Sequence, residues 1–321
     1  MHRGSERVKN MPPRSLGRLE MGLCLASREP PEVFSFVFII CCMGVPLNGI
    51  VIWLLGIQIK RNPFTVLILN LAIADFGFLI FMMIIIIMLM IINCTQNFKY
   101  FIQPGIPLKI FITLFSATYI NGLFLLTAIS IDRCVAVLFP IWHRCSRPKY
   151  LSSVVCVFLW IFSFFLIAIC NIIQYLFLYN EICNFHLVVS AVLCLPLITT
   201  STVILFFKIC LKSKQIKRGR LLVMILITLL CFLILTLPLY IYVFTTHFLN
   251  KRYLFDILEL NFYLAPKCAA LNSSINPFLY FLVGRKKRGK DQPRASLKLA
   301  LQRVFDEEQN TVDISAFFIV C

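Results

Sequence analysis

"AISIDRC", residues 128–134, decides the fold, because it sets a carboxylate beside a guanidinium just where a long apolar run ends. The 22 residues from Ile110 to Ile131 carry no charge, and then Asp132 and Arg133 arrive together. A helix that crosses a bilayer needs about 20 predominantly apolar residues. The stretch therefore reads as a span, about Leu108–Phe139, closed by an ion pair. Six further runs of this kind lie on either side of it. Val33–Ile59 has no charge and Phe64–Ile92 has only Asp75. Tyr150–Asn180, Ile182–Phe207 and Leu221–Asn250 have none, and the last, about Phe255–Val283, holds Asp256, Glu259 and Lys267. The pattern predicts an all-α membrane protein, a seven-transmembrane helix bundle over 33–284.

Composition points the same way. Of 321 residues 60% are hydrophobic and only 14% charged, against roughly 25% charged in a soluble domain. The net charge of +17 could suggest nucleic acid, but its placement argues against that partner. With the N-terminus outside, the inner connections hold Lys60 and Arg61, then Arg144, Arg147 and Lys149. They also hold six basic residues over Lys208–Arg220 and eight after Val283. The outer loops hold Lys99, Lys109, Lys251, Arg252 and Lys267. That asymmetry is the positive-inside signal of a multi-pass membrane protein. It predicts an extracellular disordered tail over 1–32 and a cytoplasmic tail over 285–321. Asn93-Cys94-Thr95 is an N-glycosylation sequon that falls in the first outer loop.

Ionisable groups inside spans cost roughly 2.5–3.5 kcal/mol on insertion scales, which makes them functional candidates. Asp75 is either a buried carboxyl satisfied by a neighbouring helix or a cation or proton site shared with span seven. "LNSSINPFLY" supplies Asn272, Ser273 and Asn276 at helical spacing for either role. Asp132–Arg133 is a helix-end pair whose long side chain can snorkel to the interface, or a switch whose arginine swings to another partner. Pro196, Pro238 and Pro277 each remove a backbone hydrogen bond and break spans five, six and seven. The breaks either shape packing or let the inner ends pivot. No zinc-spaced CxxC pair exists and the four His are scattered, so no metal and no cofactor are expected. There is no HExxH, no carboxylate pair at a common depth and no Ser/His/Asp set in the spans, so no enzyme is expected. A transporter would want several pore-facing charges or matching broken segments in two halves, and neither occurs.

These residues resemble a rhodopsin-like G-protein-coupled receptor over about 33–305. The carrying features are Asn48 in "LNGIVIW", "LAIAD" ending at Asp75, "IDRC" with Cys134 in place of the usual tyrosine, Trp160, Pro196, Pro238, and Asn276-Pro277-x-x-Tyr280. Within that class the chain resembles the Mas and Mas-related receptors, through "IKRNPFTV" (59–66), "LLTAISIDRCVAVLFPIWHRCSRPKY" (125–150), "INPFLYFLVG" (275–284) and "SLKLALQRVF" (296–305). The resemblance implies a receptor that couples an extracellular ligand, peptide or small molecule, to a heterotrimeric G protein. It implies an activation switch at Asp132, Arg133, Pro238, Asn276, Pro277 and Tyr280, and a polar core or cation site at Asp75, Asn48, Asn272 and Ser273. Ligand contacts between spans three, five, six and seven are expected at Tyr119, Tyr240 and Phe262.

Several departures matter. Leu108 stands near the place where many such receptors carry a cysteine tied to the second outer loop, so that disulfide is not expected. Cys170 and Cys183 form an alternative link or remain free thiols. Thr236 stands where span six usually has tryptophan. Cys170 and Asn184 occupy positions that are acidic in some relatives binding cationic peptides, so a cationic-ligand preference is not supported. "KQIKRGR" at the base of span six contains no acid to clamp Arg133, which predicts appreciable ligand-independent signalling. In the tail, residues 294–305 suit an amphipathic membrane-surface helix, interrupted before it by Gly289 and Pro293. Only Ser296, Thr311 and Ser315 can be phosphorylated past Gly284, which limits phosphorylation-driven arrestin recruitment.

Overall fold

The computed structural model describes residues 31–59, 62–94, 106–148, 150–177, 185–211, 220–248 and 255–284. Seven long helices run through them. They are α1 (Pro31–Trp53), continued by one π-helical segment Leu54–Gln58, α2 (Pro63–Cys94), α3 (Ile106–Leu138), α4 (Leu151–Phe177), α5 (Phe185–Leu211), α6 (Arg220–Phe248) and α7 (Phe255–Gly284). A six-residue loop helix, Pro140–Cys145, lies between α3 and α4. Among the described residues no strand occurs. The first thirty residues, the basic stretch 212–219, Cys183 and the tail from 285 with its 294–305 segment lie outside the described residues. So do the side chains of Asn93 and Phe262, although their backbones close α2 and continue α7.

Helices α1 to α6 are each long and apolar enough to cross a bilayer. The seventh is 30 residues long and carries a polar stripe, Asn272, Ser273, Ser274 and Asn276. It takes its place by packing, most extensively against α6 and also against α1. Helix starts follow local chemistry. At "NPFT" the Asn62 Oδ1 accepts the N–H groups of Phe64 (3.0 Å) and Thr65 (2.7 Å). Thr65 Oγ1 accepts the Asn62 N–H in return at 2.8 Å. Pro63 fills the first helical position, where a missing N–H costs nothing. This reciprocal cap starts α2 and fixes where Phe64 points.

The core centres on α3, which packs against α2, α4, α5 and α6. Its span is 56% buried, while that of α4 is 22% buried. The rest of α4 shows an apolar band of Val154, Val157, Phe158, Ile161, Phe165 and Ile172. An exposed surface of that kind belongs against lipid. Helix α1 closes the ring by approaching α7. A Cβ on Gly44 would collide with Ser274 Oγ and lie 2.7 Å from Leu79 Cδ1, so the absent side chain is what permits the approach. Besides Pro196, Pro238 and Pro277, the helices also contain Pro46 and Pro266.

Candidate functional site

The polar layer in the middle of the bundle begins with a proline. Pro277 has no N–H to give the Ser273 carbonyl one turn earlier. The amide of Asn48, on α1, donates there instead at 3.0 Å, and also to the Gly44 carbonyl at 3.0 Å. One residue before the proline, Asn276 Nδ2 donates to Asp75 Oδ2 at 2.8 Å. The Ser273 hydroxyl lies beside the same carboxyl. Asn48, Asp75, Asn272, Ser273 and Asn276 are all buried. Helices α1, α2 and α7 are thus joined by side chains that meet a backbone gap and a carboxyl group together. A second polar tie runs between α2 and α4, where Trp160 Nε1 donates to Asn70 Oδ1 at 3.1 Å.

Toward the predicted inner end, the polar layer gives way to an apolar one. Leu71, Leu126, Ile129, Met224, Leu229 and Tyr280 converge on one small cleft shared by α2, α3, α6 and α7. Tyr280 is buried there. Pro238 is half-buried on α6, and the nearby Thr236 turns its hydroxyl back to the Phe232 carbonyl at 2.7 Å.

Beyond this layer stands the pair from the opening motif. Arg133 donates to Asp132 Oδ2 from Nη2 at 2.6 Å and from Nε at 3.1 Å. Its guanidinium lies 4.0 Å from the centroid of the Phe64 ring, a cation–π contact. Arg133 is only 3% exposed. The adjacent carboxylate and the capped aromatic hold it inside the bundle. The other oxygen, Oδ1, is met from the connection after α3. Arg147 Nη2 stands 2.7 Å from it and His143 Nε2 stands 3.5 Å away. Arg147 also reaches His143 Nε2 at 2.6 Å and Ser152 Oγ at 2.6 Å. One aspartate therefore faces three basic groups.

At the opposite end, Tyr119 of α3 and Tyr240 of α6 are both buried. The Tyr240 hydroxyl sits beside Tyr119 and the α5 residues Cys194 and Ser190. The Tyr119 ring tilts against Phe78 with centroids 5.3 Å apart. Cys170 is buried on α4.

The structure brings Asp75, Asn48, Ser273 and Asn276 into one layer, Asp132 with Arg133, and Tyr119 with Tyr240. Phe64, His143, Arg147 and Ser152 were not expected at the ion pair. The "NPFT" cap was a visible start signal for α2, yet it says nothing of which helix Phe64 faces. Arg147 was hidden among charges that read as topology.

Residues 47–280 match the family described as 7 transmembrane receptor (rhodopsin family). The chain is 35% identical over 308 residues to the Mas-related G-protein coupled receptor member B2 of Mus musculus, covering 91% of this chain and 86% of that one. It is 35% identical to member X2 of Homo sapiens, over 89% of this chain and 86% of the relative. The human proto-oncogene Mas is 33% identical over 88% and 86% respectively. The relatives are receptors and not enzymes. The ring of seven helices, the buried Asp75, the half-buried Asp132 and these likenesses agree: the chain belongs to the Mas-related G-protein-coupled receptors of the rhodopsin family, multi-pass proteins of the plasma membrane that couple an extracellular ligand to heterotrimeric G proteins.

Proposed function

We propose that this receptor signals by releasing Arg133 from Asp132. The observation that carries the reading is that Arg133 is 3% exposed and 2.6 Å from its neighbouring carboxylate, toward one end of α3, the most buried of the spans α1 to α6. Ligand enters from the outside between α3, α5, α6 and α7 and meets Tyr119, Tyr240 and Phe262. It favours the state in which α6 swings outward about Pro238, to the extent that it binds that state better. Arg133 and Tyr280 then rearrange, and a groove opens for a helix of the G protein. Asn276 and Pro277 transmit the change, because their partners Asp75 and Asn48 sit on other helices. Asp75, with Asn48, Asn272 and Ser273, forms the polar core in which a cation or proton is held.

The topology that goes with this reading has the N-terminus outside and the C-terminus inside. Residues 1–32 form the extracellular tail, 33–284 the bundle and 285–321 the cytoplasmic tail with its surface helix. Asn93 carries glycan, and arrestin binds weakly for want of phosphorylatable hydroxyls. Without an acid at the base of α6, signalling in the absence of ligand is appreciable. Nucleotide exchange on added G protein tests the reading, comparing wild type with Asp132→Asn and Arg133→Ala in membranes. Wild type is expected to exchange without ligand, Asp132→Asn to exceed it and Arg133→Ala to lose it. A silent wild type, or Arg133→Ala as active as wild type, refutes the proposal.

A further inference from the structure

We infer that Arg147 is a positioning residue of this switch: it neutralises Asp132 from the loop side, so that Arg133 can leave without stranding a half-buried carboxylate. The inference rests on the reading of Asp132–Arg133 as the switch. The two oxygens of Asp132 are divided between two directions. Oδ2 takes both hydrogen bonds from Arg133 on the same helix. Oδ1 faces Arg147 at 2.7 Å and His143 at 3.5 Å. The Arg147 side chain is 8% exposed and is anchored to the first turn of α4 through Ser152, which is buried. The loop arginine is therefore part of the bundle's packed end.

Charge arithmetic gives this placement a consequence. With both arginines in place, the carboxylate has more cationic charge than it needs. When Arg133 swings away, Arg147 leaves the carboxylate still paired. Without Arg147, the same motion would leave the carboxylate in a poorly solvated site with His143, 3.5 Å away, as its remaining basic neighbour, which is unfavourable. Arg147 thus lowers the barrier to release and competes with Arg133 for a shared partner. Its removal should tighten the closed state. That sign is opposite to the effect of removing Asp132, and a residue that merely held the loop in shape would weaken binding even when Asp132 is absent.

The test is the affinity of the purified receptor, in nanodiscs, for nucleotide-free heterotrimers of each main Gα class. Thermal unfolding of each variant is followed alongside. Asp132→Asn should bind more tightly than wild type. Arg147→Gln should bind more weakly by roughly tenfold, the scale of one ion-pair coupling. The double variant should match Asp132→Asn, since Arg147 acts through that carboxylate. Arg147→Lys keeps the charge and loses the fork, and should fall between wild type and Arg147→Gln. If Asp132→Asn responds while Arg147→Gln binds as well as wild type or better, the inference alone is overturned. If Asp132→Asn is indistinguishable from wild type, the switch reading falls and the inference with it. Should Arg147→Gln fail to fold, Arg147→Lys binding at or above the wild-type level overturns the inference.

Discussion

Asp75 and Asp132 lie on adjacent packed helices, yet their partners belong to different chemistry. Asp75, in the middle of α2, receives an amide from Asn276 and has a serine hydroxyl beside it. Asp132, at one end of α3, is surrounded by Arg133, Arg147 and His143. The difference follows from depth. Halfway across a bilayer an arginine has no water to reach and is expensive to insert, whereas amides and hydroxyls are far cheaper to bury. Near the interface cations can be accommodated, and a carboxylate can collect several. The deep site is built to change its hydrogen bonds at small cost. The shallow one stores charge and resists change until a cation is exchanged.

Three variants would break or sharpen that contrast. The largest effect is expected from Arg133→Leu combined with Arg147→Leu, which leaves the half-buried Asp132 with His143 as its remaining basic neighbour. Loss of the partners of a buried charge costs about 3–5 kcal/mol, so the unfolding midpoint in detergent should fall steeply. Either single variant should fall by much less, because one arginine remains. Equal losses from singles and double would show that the carboxylate is not shared. Next comes Asn48→Ala, which removes the donor to the Ser273 carbonyl that Pro277 leaves open. An orphaned buried acceptor costs about 1–3 kcal/mol, and the same thermal assay should read it. An unchanged midpoint would mean that the carbonyl finds another donor. The smallest effect belongs to Asp75→Asn, since its amide oxygen can still accept from Asn276. A stability change below about 1 kcal/mol is expected, the scale of one neutral hydrogen bond. A large loss would place Asp75 in the same class as Asp132 and dissolve the comparison.

The fold was legible because apolar runs long enough to span a bilayer are rare by chance, and seven of them fixed the helix count and nearly every boundary. The Asp132–Arg133 pair was legible because charge ends such runs abruptly. Other features needed coordinates. Asn48 serves a backbone carbonyl, and a sequence does not say which carbonyl lacks a donor until Pro277 and α1 are known to be neighbours. Arg147 sat among Arg144 and Lys149, where its charge already had an explanation in membrane topology. The loop helix Pro140–Cys145 is six residues long, too short for any periodicity to register. For Arg133 the sequence left a snorkelling helix-end pair and a switch both open, and the Phe64 ring that covers its guanidinium comes from another helix.

The bond from Asn48 to the carbonyl left open by Pro277 spans 225 residues of chain, and it has an evolutionary corollary. A descendant that exchanged Pro277 for an ordinary helix former would satisfy its own Ser273 carbonyl, and position 48 could then drift to an aliphatic side chain. As long as the imino acid stays, drift at position 48 is blocked. The two sites are inherited as one character.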